Sequence, residues 1–291
     1  MDKGYTLMHE HITIDLSRIK NDPDTILDTK EETIKEFKEL YDKGVRNILD
    51  LTNRGMGRDI RYIEEVSQRS GINIIAATGF YKEPFLPDEV YDLSTEELAQ
   101  LMIDEIENGI DGTNIKAHVI GEIGTSFDEW TEAEKKVFDA SLIAHKKTGA
   151  IISTHTSIGQ LAIEQLNYFK KHEIDLSKVI IGHQDLNTND EEVFEIVKSG
   201  ATVGFDTIGK NNYRNDEDKI NVLLKIQEKG FIDNVILSMD ITRKSHLKVN
   251  GGLGYSYILD TFLPMARERG LTEESINKML IHNPERLLRG N

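Results

Sequence analysis

Eight short apolar runs recur along the chain, each followed by an amphipathic charged stretch, and this repetition constrains the fold more than any other feature. The runs cover 5–11, 47–51, 73–79, 118–124, 150–155, 178–183, 201–206 and 235–240. They are rich in Val and Ile, as parallel strands buried on both faces are. Helical patterns lie between them at 29–43, 59–70, 95–108, 132–148, 158–172, 190–199 and 217–229, with two more at 256–269 and 273–289. Eight βα units in series, without a break in composition, predict a single (β/α)8 barrel domain over residues 1–291. The competing architecture is a doubly wound open sheet. Its Gly-rich turn after the first strand is missing here, because that strand runs into HEHITID.

Local signals punctuate the repeat. Gly44, Gly71, Gly149, Gly200 and Gly230 each stand between a helix and the next strand, the place of a left-handed helix stop. Ser94 and Glu97 have capping-box spacing. Asn283 before Pro284 reads as a cap on the last helical turns.

Composition narrows the chemistry. No cysteine is present, so disulfides, thiolate metal sites and a Cys nucleophile are excluded, and a metal must be held by His, Asp, Glu or water. The formal charge of −16 argues against nucleic-acid and membrane partners. No segment has the length of a signal peptide or a membrane span, which gives a cytoplasmic expectation. A small-molecule substrate is expected as the partner, with a homodimer left open as the assembly.

Ionisable residues end the apolar runs: His9 and His11, Glu122, His155, His183 and Asp240. In a barrel this is the active-site end. Strand alternation sends His9 and His11 the same way, into the mouth. Each residue alone reads equally well as a rim or capping group. Together, four imidazoles and two carboxylates are costly to bury without a compensating divalent ion, and they suit Zn²⁺, Mn²⁺, Fe²⁺ or Co²⁺. His145 and His172 fall near helix C-termini, and His282 precedes the Asn cap. His118 shares inward parity with Glu122 but lies deeper, on the barrel floor.

The segments GYTLMHEHITIDLS, DLTNRGMGRD, TGFY, IGEIGTS, ISTHTS, IGHQDL, GFDTIGK, LSMDITRKSHL and GGLGYSYIL occur in this order. With them the chain resembles the phosphotriesterase family of the amidohydrolase superfamily, and most of all the bacterial phosphotriesterase homology proteins. The resemblance implies a binuclear centre with two divalent ions per chain, Zn²⁺ being the expected metal. His9, His11 and Asp240 would hold the more buried ion, and His155 and His183 the more exposed one. In well-known members a carboxylated lysine on the fourth strand bridges the ions. Here IGEIG offers Glu122 instead, a two-oxygen bridge of shorter reach and different basicity.

The implied reaction is ester hydrolysis by a metal-bridging hydroxide, with Asp240 taking the proton. Relatives that act on sugar-lactone phosphates favour a small lactone, phosphorylated or not. Phosphotriester or phosphoester hydrolysis and zinc-bound metabolite binding without turnover are the alternatives. Tyr81, Arg243, Lys244, His246 and Lys248 are expected on loops above the metals. There the last four either capture an anion or form a plain exposed basic loop.

Overall fold

The apolar runs become eight parallel strands in the computed structural model, which describes residues 1–289. The last two residues of the expected 1–291 domain lie outside the described ones. The strands are β1 (Tyr5–Glu10), β2 (Val45–Asp50), β3 (Asn73–Thr78), β4 (Ala117–Thr125), β5 (Ile151–Thr156), β6 (Val179–Ile181), β7 (Thr202–Phe205) and β8 (Val235–Leu237). They pair in sequence order as one sheet that curls into a nearly closed (β/α)8 barrel with helices around it. The open-sheet alternative is thereby excluded.

Two apolar layers hold this arrangement. Inside the barrel, Met8, Leu49, Ile75, Val119, Ile180 and Ile236 pack together, and Leu287 closes the floor. The alternate residues, such as Leu7, Ile48, Ile120 and Ile181, pack outward against the helices. Both strand faces are therefore buried, which is why the runs read as nearly continuous Val and Ile.

Backbone and side-chain hydrogen bonds close the seam between β1 and β8. The Asp240 amide donates to the His9 carbonyl at 3.2 Å. The Glu10 carboxylate, fully buried, accepts from Ser238 Oγ at 2.8 Å, Met239 N at 2.8 Å and Ile241 N at 3.1 Å. Glu10, which sits between the two histidines in the sequence, thus faces away from them and fixes the loop that carries Asp240. Glu10→Ala leaves two buried amides without an acceptor and is expected to destabilise the fold by about 3 kcal/mol. The urea unfolding midpoint checks this; a shift within error of zero would refute the role given to Glu10.

Several boundaries differ from the sequence expectation. β6, β7 and β8 stop before residues 183, 206 and 240, because the chain turns out of the sheet there. His183 and Asp240 both adopt left-handed backbone, with φ of 57° and 51°. Non-glycine residues rarely do so, and here the turn aims each side chain across the barrel mouth. The helix expected at 158–172 begins at Ala162, since Ile158 and Leu161 are also left-handed.

Asn283 is not a cap. It lies within continuous helical backbone, buried, and donates to the carbonyls of Ile232 and Val235 at 2.8 and 2.7 Å. His118 is not on the barrel floor either: it is exposed, with Nδ1 3.1 Å from the Lys116 carbonyl. The register of β4 against β5 shifts between Ile120 and Ile123. Unbroken alternation, on which the expectation rested, therefore fails, and Val119 rather than His118 faces the interior with Glu122 further up.

The five helix-closing glycines all have positive φ, and the Ser94–Glu97 capping box is present. The sequence gives no sign of the hairpin of Ile14–Asp15 with Ile26–Leu27 or of the short helices Ser17–Lys20 and Glu89–Asp92. None is long enough to carry a period. Among the described residues, no helix is long and apolar enough to cross a membrane.

Candidate metal centre

Six side chains from five strand ends meet at the C-terminal mouth of the barrel. His9 Nε2 lies 3.5 Å from Glu122 Oε2 and 3.9 Å from Asp240 Oδ1. His11 Nε2 lies 3.2 Å from Asp240 Oδ1 and 3.5 Å from Glu122 Oε1. On the other side, His155 Nδ1 and His183 Nε2 stand 3.2 and 3.7 Å from Glu122 Oε2, and 2.8 Å from each other. Glu122 is therefore central, with one oxygen toward His11 and the other shared among His9, His155 and His183.

Donor chemistry tests whether a metal fits. His9 and His11 are buried, and each has its Nδ1 engaged: His9 with Asp206 Oδ2 at 3.1 Å and His11 with Thr52 Oγ1 at 2.8 Å. Among the described residues their Nε2 atoms have no hydrogen-bond partner, and they point at the two carboxylates. A buried ring nitrogen is costly to leave unpaired, and an imidazole oriented through its other nitrogen is the usual form of a metal ligand. The ligand atoms of His9, His11 and Asp240 lie within 4.8 Å of one another, as do those of His9, Glu122 and His183. Both groups fit a divalent ion.

The electrostatics agree. Burial alone would lower the His9 and His183 pKa values, but the Asp206 carboxylate overrides it, holding His183 at about 10 and His9 well above the ordinary value. Burial is likewise outweighed at His11, where hydrogen bonding to Asp240 and Glu122 lifts the pKa to about 9. For His155, burial and the neighbouring His183 prevail, and its pKa falls to about 4. Despite burial, Glu122 is held well below the usual carboxylate range, His9 being the main cause, and Asp240 is lowered chiefly by Lys210. The field of these buried carboxylates attracts positive charge: protons in their absence of a better partner, a divalent cation when one is available.

Three supporting residues escaped the sequence reading. Asp206, fully buried at the end of β7, also binds His183 through Nδ1 at 2.8 Å and through the amide at 2.9 Å. It thus orients one imidazole from each side of the site. Its signal was available, since the predicted strand ends on an acid. Lys210 Nζ donates to Asp240 Oδ2, and Thr52 orients His11. Both lie on loops, where no period marks a side chain's direction. Asp206→Asn is expected to weaken metal affinity by about 10- to 100-fold, as loss of an orienting partner does. Competition with a chromogenic chelator measures it, and unchanged affinity would remove Asp206 from this role.

The residues expected above the metals divide. Tyr81 reaches the site, its hydroxyl 3.3 Å from both ring nitrogens of His155. Arg243 lines the same cavity, of about 280 Å³, but pairs with Asp22 at 2.7 Å. His246 lines a smaller neighbouring cavity, and burial lowers its pKa to about 4. Lys244 and Lys248 do not reach the mouth; they pair with Asp28 and Glu39, each at 2.6 Å. Of the four basic residues of this loop, carboxylates remote in sequence pair with three, and burial lowers the pKa of the fourth.

Comparison with known proteins gives the same picture. The model of the Phosphotriesterase family matches residues 1–288. The chain is 48% identical to the phosphotriesterase homology protein of Escherichia coli (strain K12), over 97% of this chain and 96% of that one. The crystal structure of the Escherichia coli protein, complexed with phosphate in the active site, superposes with a TM-score of 0.97, at 47% identity, covering 99% of this chain and 100% of that one. A lactonase from Listeria monocytogenes superposes with a TM-score of 0.92 at 30% identity, covering 98% and 94% of the two chains. An N-acetyltaurine hydrolase of Xenopus tropicalis is 32% identical over 84% of this chain and 73% of that one.

Proposed function

This chain belongs to the phosphotriesterase family and is a metal-dependent hydrolase; from that premise we propose that it holds two divalent ions, Zn²⁺ foremost, and cleaves a small lactone or related ester. The observation that carries this reading is the pair of buried, unpartnered Nε2 atoms of His9 and His11 facing Glu122 and Asp240. One ion would be held by His9, His11 and Asp240, the other by His155 and His183, with the Glu122 carboxylate between them. When bound, such ions supply an acidified water and a Lewis-acid pull on the scissile carbonyl.

The chain's own residues do the rest. Asp240 faces the ligand cluster with one oxygen and Lys210 with the other, so it remains anionic and can accept the proton of the attacking water. The Tyr81 hydroxyl, against His155 on the cavity wall, can donate to a substrate oxygen and orient it. Asp206 holds His9 and His183 in fixed ring orientations, so the site needs little rearrangement during turnover.

A second reading has one specific support: relatives at 30–34% identity are named N-acetyltaurine hydrolase, which makes amide cleavage the competing chemistry. Elemental analysis of protein prepared in metal-free buffers is expected to give two ions per chain after reloading. Turnover is then measured on sugar lactones, phosphorylated lactones, N-acetyltaurine and a phosphotriester. Lactones are expected to be cleaved fastest. Faster cleavage of the amide would replace the lactone reading. Two bound ions with no turnover of any compound would turn the proposal into a metabolite-binding role.

A further inference from the structure

Four Lys and Arg side chains line the cavity at the barrel mouth: Lys20, Lys82, Lys210 and Arg243. Two are already neutralised, Lys210 by Asp240 and Arg243 by Asp22 and Asp24. Among the described residues, neither Lys20 nor Lys82 has a carboxylate partner. In a chain with 51 acidic and 35 basic residues, two unpaired lysines on one wall of the active cavity require an explanation.

Both sit over the same ring. Lys20 Nζ is 5.5 Å from the centroid of Phe85, and Lys82 Nζ is 5.6 Å from it. Phe85 packs on Tyr81, with ring centroids 5.4 Å apart, and Tyr81 packs on His155 at 4.8 Å. Lys82 Nζ is also 5.7 Å from the centroid of Tyr81, so these aromatic rings link the two ammonium groups to His155. Lys82 Nζ donates to the Glu83 carbonyl at 2.9 Å, which leaves two of its three N–H bonds free.

The wall is rigid. The Gly124 amide donates to the Tyr81 carbonyl at 2.9 Å. A Cβ at Gly124 would come within 3.2 Å of Lys82 Cβ and 3.0 Å of His155 Cβ, so glycine lets the lysine stem lie directly beside the ligand. Glu134 fixes the following residue by accepting from the Glu83 amide at 3.1 Å. Lys82 is half-buried, whereas Lys20 is exposed on the short helix Ser17–Lys20.

We propose that Lys82, assisted by Lys20, forms the subsite for an anionic group, such as a phosphate, sulfonate or carboxylate, at the end of the substrate remote from the scissile bond. The apolar faces of Tyr81 and Phe85 receive the short spacer between the two ends. This rests on the hydrolase reading and assigns it a substrate class: small esters or amides bearing a terminal anion. It also assigns the anion site to Lys82 and Lys20 in place of the 243–248 loop. The physical reason is availability, since a lysine without a counter-ion can give its hydrogen bonds to a ligand without first breaking a salt bridge.

The test uses the metal-loaded protein and two pairs of probes. One is a pentonolactone with its 5-phosphate; the other is N-ethylacetamide with N-acetyltaurine. The readout is the ratio of kcat/KM for the charged and neutral members of each pair. Lys82→Met keeps the stem and removes the charge, and it is expected to lower the ratio by about 10- to 100-fold, mainly through KM. Lys20→Met should lower it by about two- to fivefold, because its charge is exposed and screened. Lys82→Arg should restore most of the ratio. An unchanged ratio in Lys82→Met, or a larger loss in Arg243→Met, overturns the proposal.

Calorimetric binding of the four probes separates this result from the hydrolase reading. If the wild type cleaves none of them, that reading fails for these substrates, and binding alone decides the subsite. Selective loss of affinity for the anionic members in Lys82→Met supports it. Equal affinity in wild type and variant, or no binding of either anion by the wild type, overturns it.

Discussion

Asp240→Asn is expected to keep much of its metal and to lose turnover by about 10²- to 10⁴-fold, the worth of general-base assistance. The substitution keeps the shape and one oxygen of the side chain but removes the proton acceptor and the ion pair with Lys210. Asn tolerates the left-handed backbone that Asp240 adopts at φ 51°. Its amide oxygen can still face His11 Nε2, from which Asp240 Oδ1 is 3.2 Å away. Four imidazoles and Glu122 remain to hold the ions. The acidic limb of the pH–kcat profile should disappear, because that limb reports ionisation of the coupled site and not of one side chain. The checks are kcat on the best substrate and metal content of the same sample. A variant with near wild-type kcat and unchanged metal would leave Asp240 as a rim carboxylate and require another base.

Glu122→Gln should strike earlier, at assembly of the centre. One carboxylate lies within 3.7 Å of a ring nitrogen from each of His9, His11, His155 and His183. A neutral amide offers one good donor oxygen where the carboxylate offers two, and it no longer compensates the positive charge. The affinity of at least one ion should fall by more than about 100-fold, beyond the effect of losing an orienting partner. Added bicarbonate should not restore it, since no lysine is available for carboxylation at this position. His118→Ala is the control: His118 is exposed and has no contact with the cluster, so metal content should stay at the wild-type level. Equal metal loss in both variants would mean that Glu122 is not a ligand. Both predictions need only elemental analysis and a substrate that the wild type cleaves.

The contrast between Glu122 and His118 marks where one-dimensional reasoning works. Both belong to an apolar run, and alternation assigns both to the barrel interior. A register shift between Ile120 and Ile123 breaks the alternation and leaves only Glu122 at the mouth. His9 and His11 have the spacing that alternation requires, and their Nε2 atoms reach the same two carboxylates. Asp206 could have been found by the rule that found the others, because it too ends a predicted strand. Glu10 could not, since the donors to its carboxylate lie more than 220 positions away on the loop after the last strand.

The order of strands and helices, the barrel and the residue types at its mouth are written in local periodicity. Burial on both faces makes strands uniformly apolar, helices show one apolar stripe, and polar residues mark the strand ends; each signal spans only a few residues. Tertiary structure alone decided which charges are available. Arg243, Lys244 and Lys248 are basic in any reading of the sequence, yet Asp22, Asp28 and Glu39 neutralise them from more than 200 positions away. Lys82 and Lys20 carry no motif, yet among the described residues they have no carboxylate partner on the cavity wall. Coulomb energy depends on distance in space and on the solvent around each pair, and neither quantity has a period that a linear sequence could display.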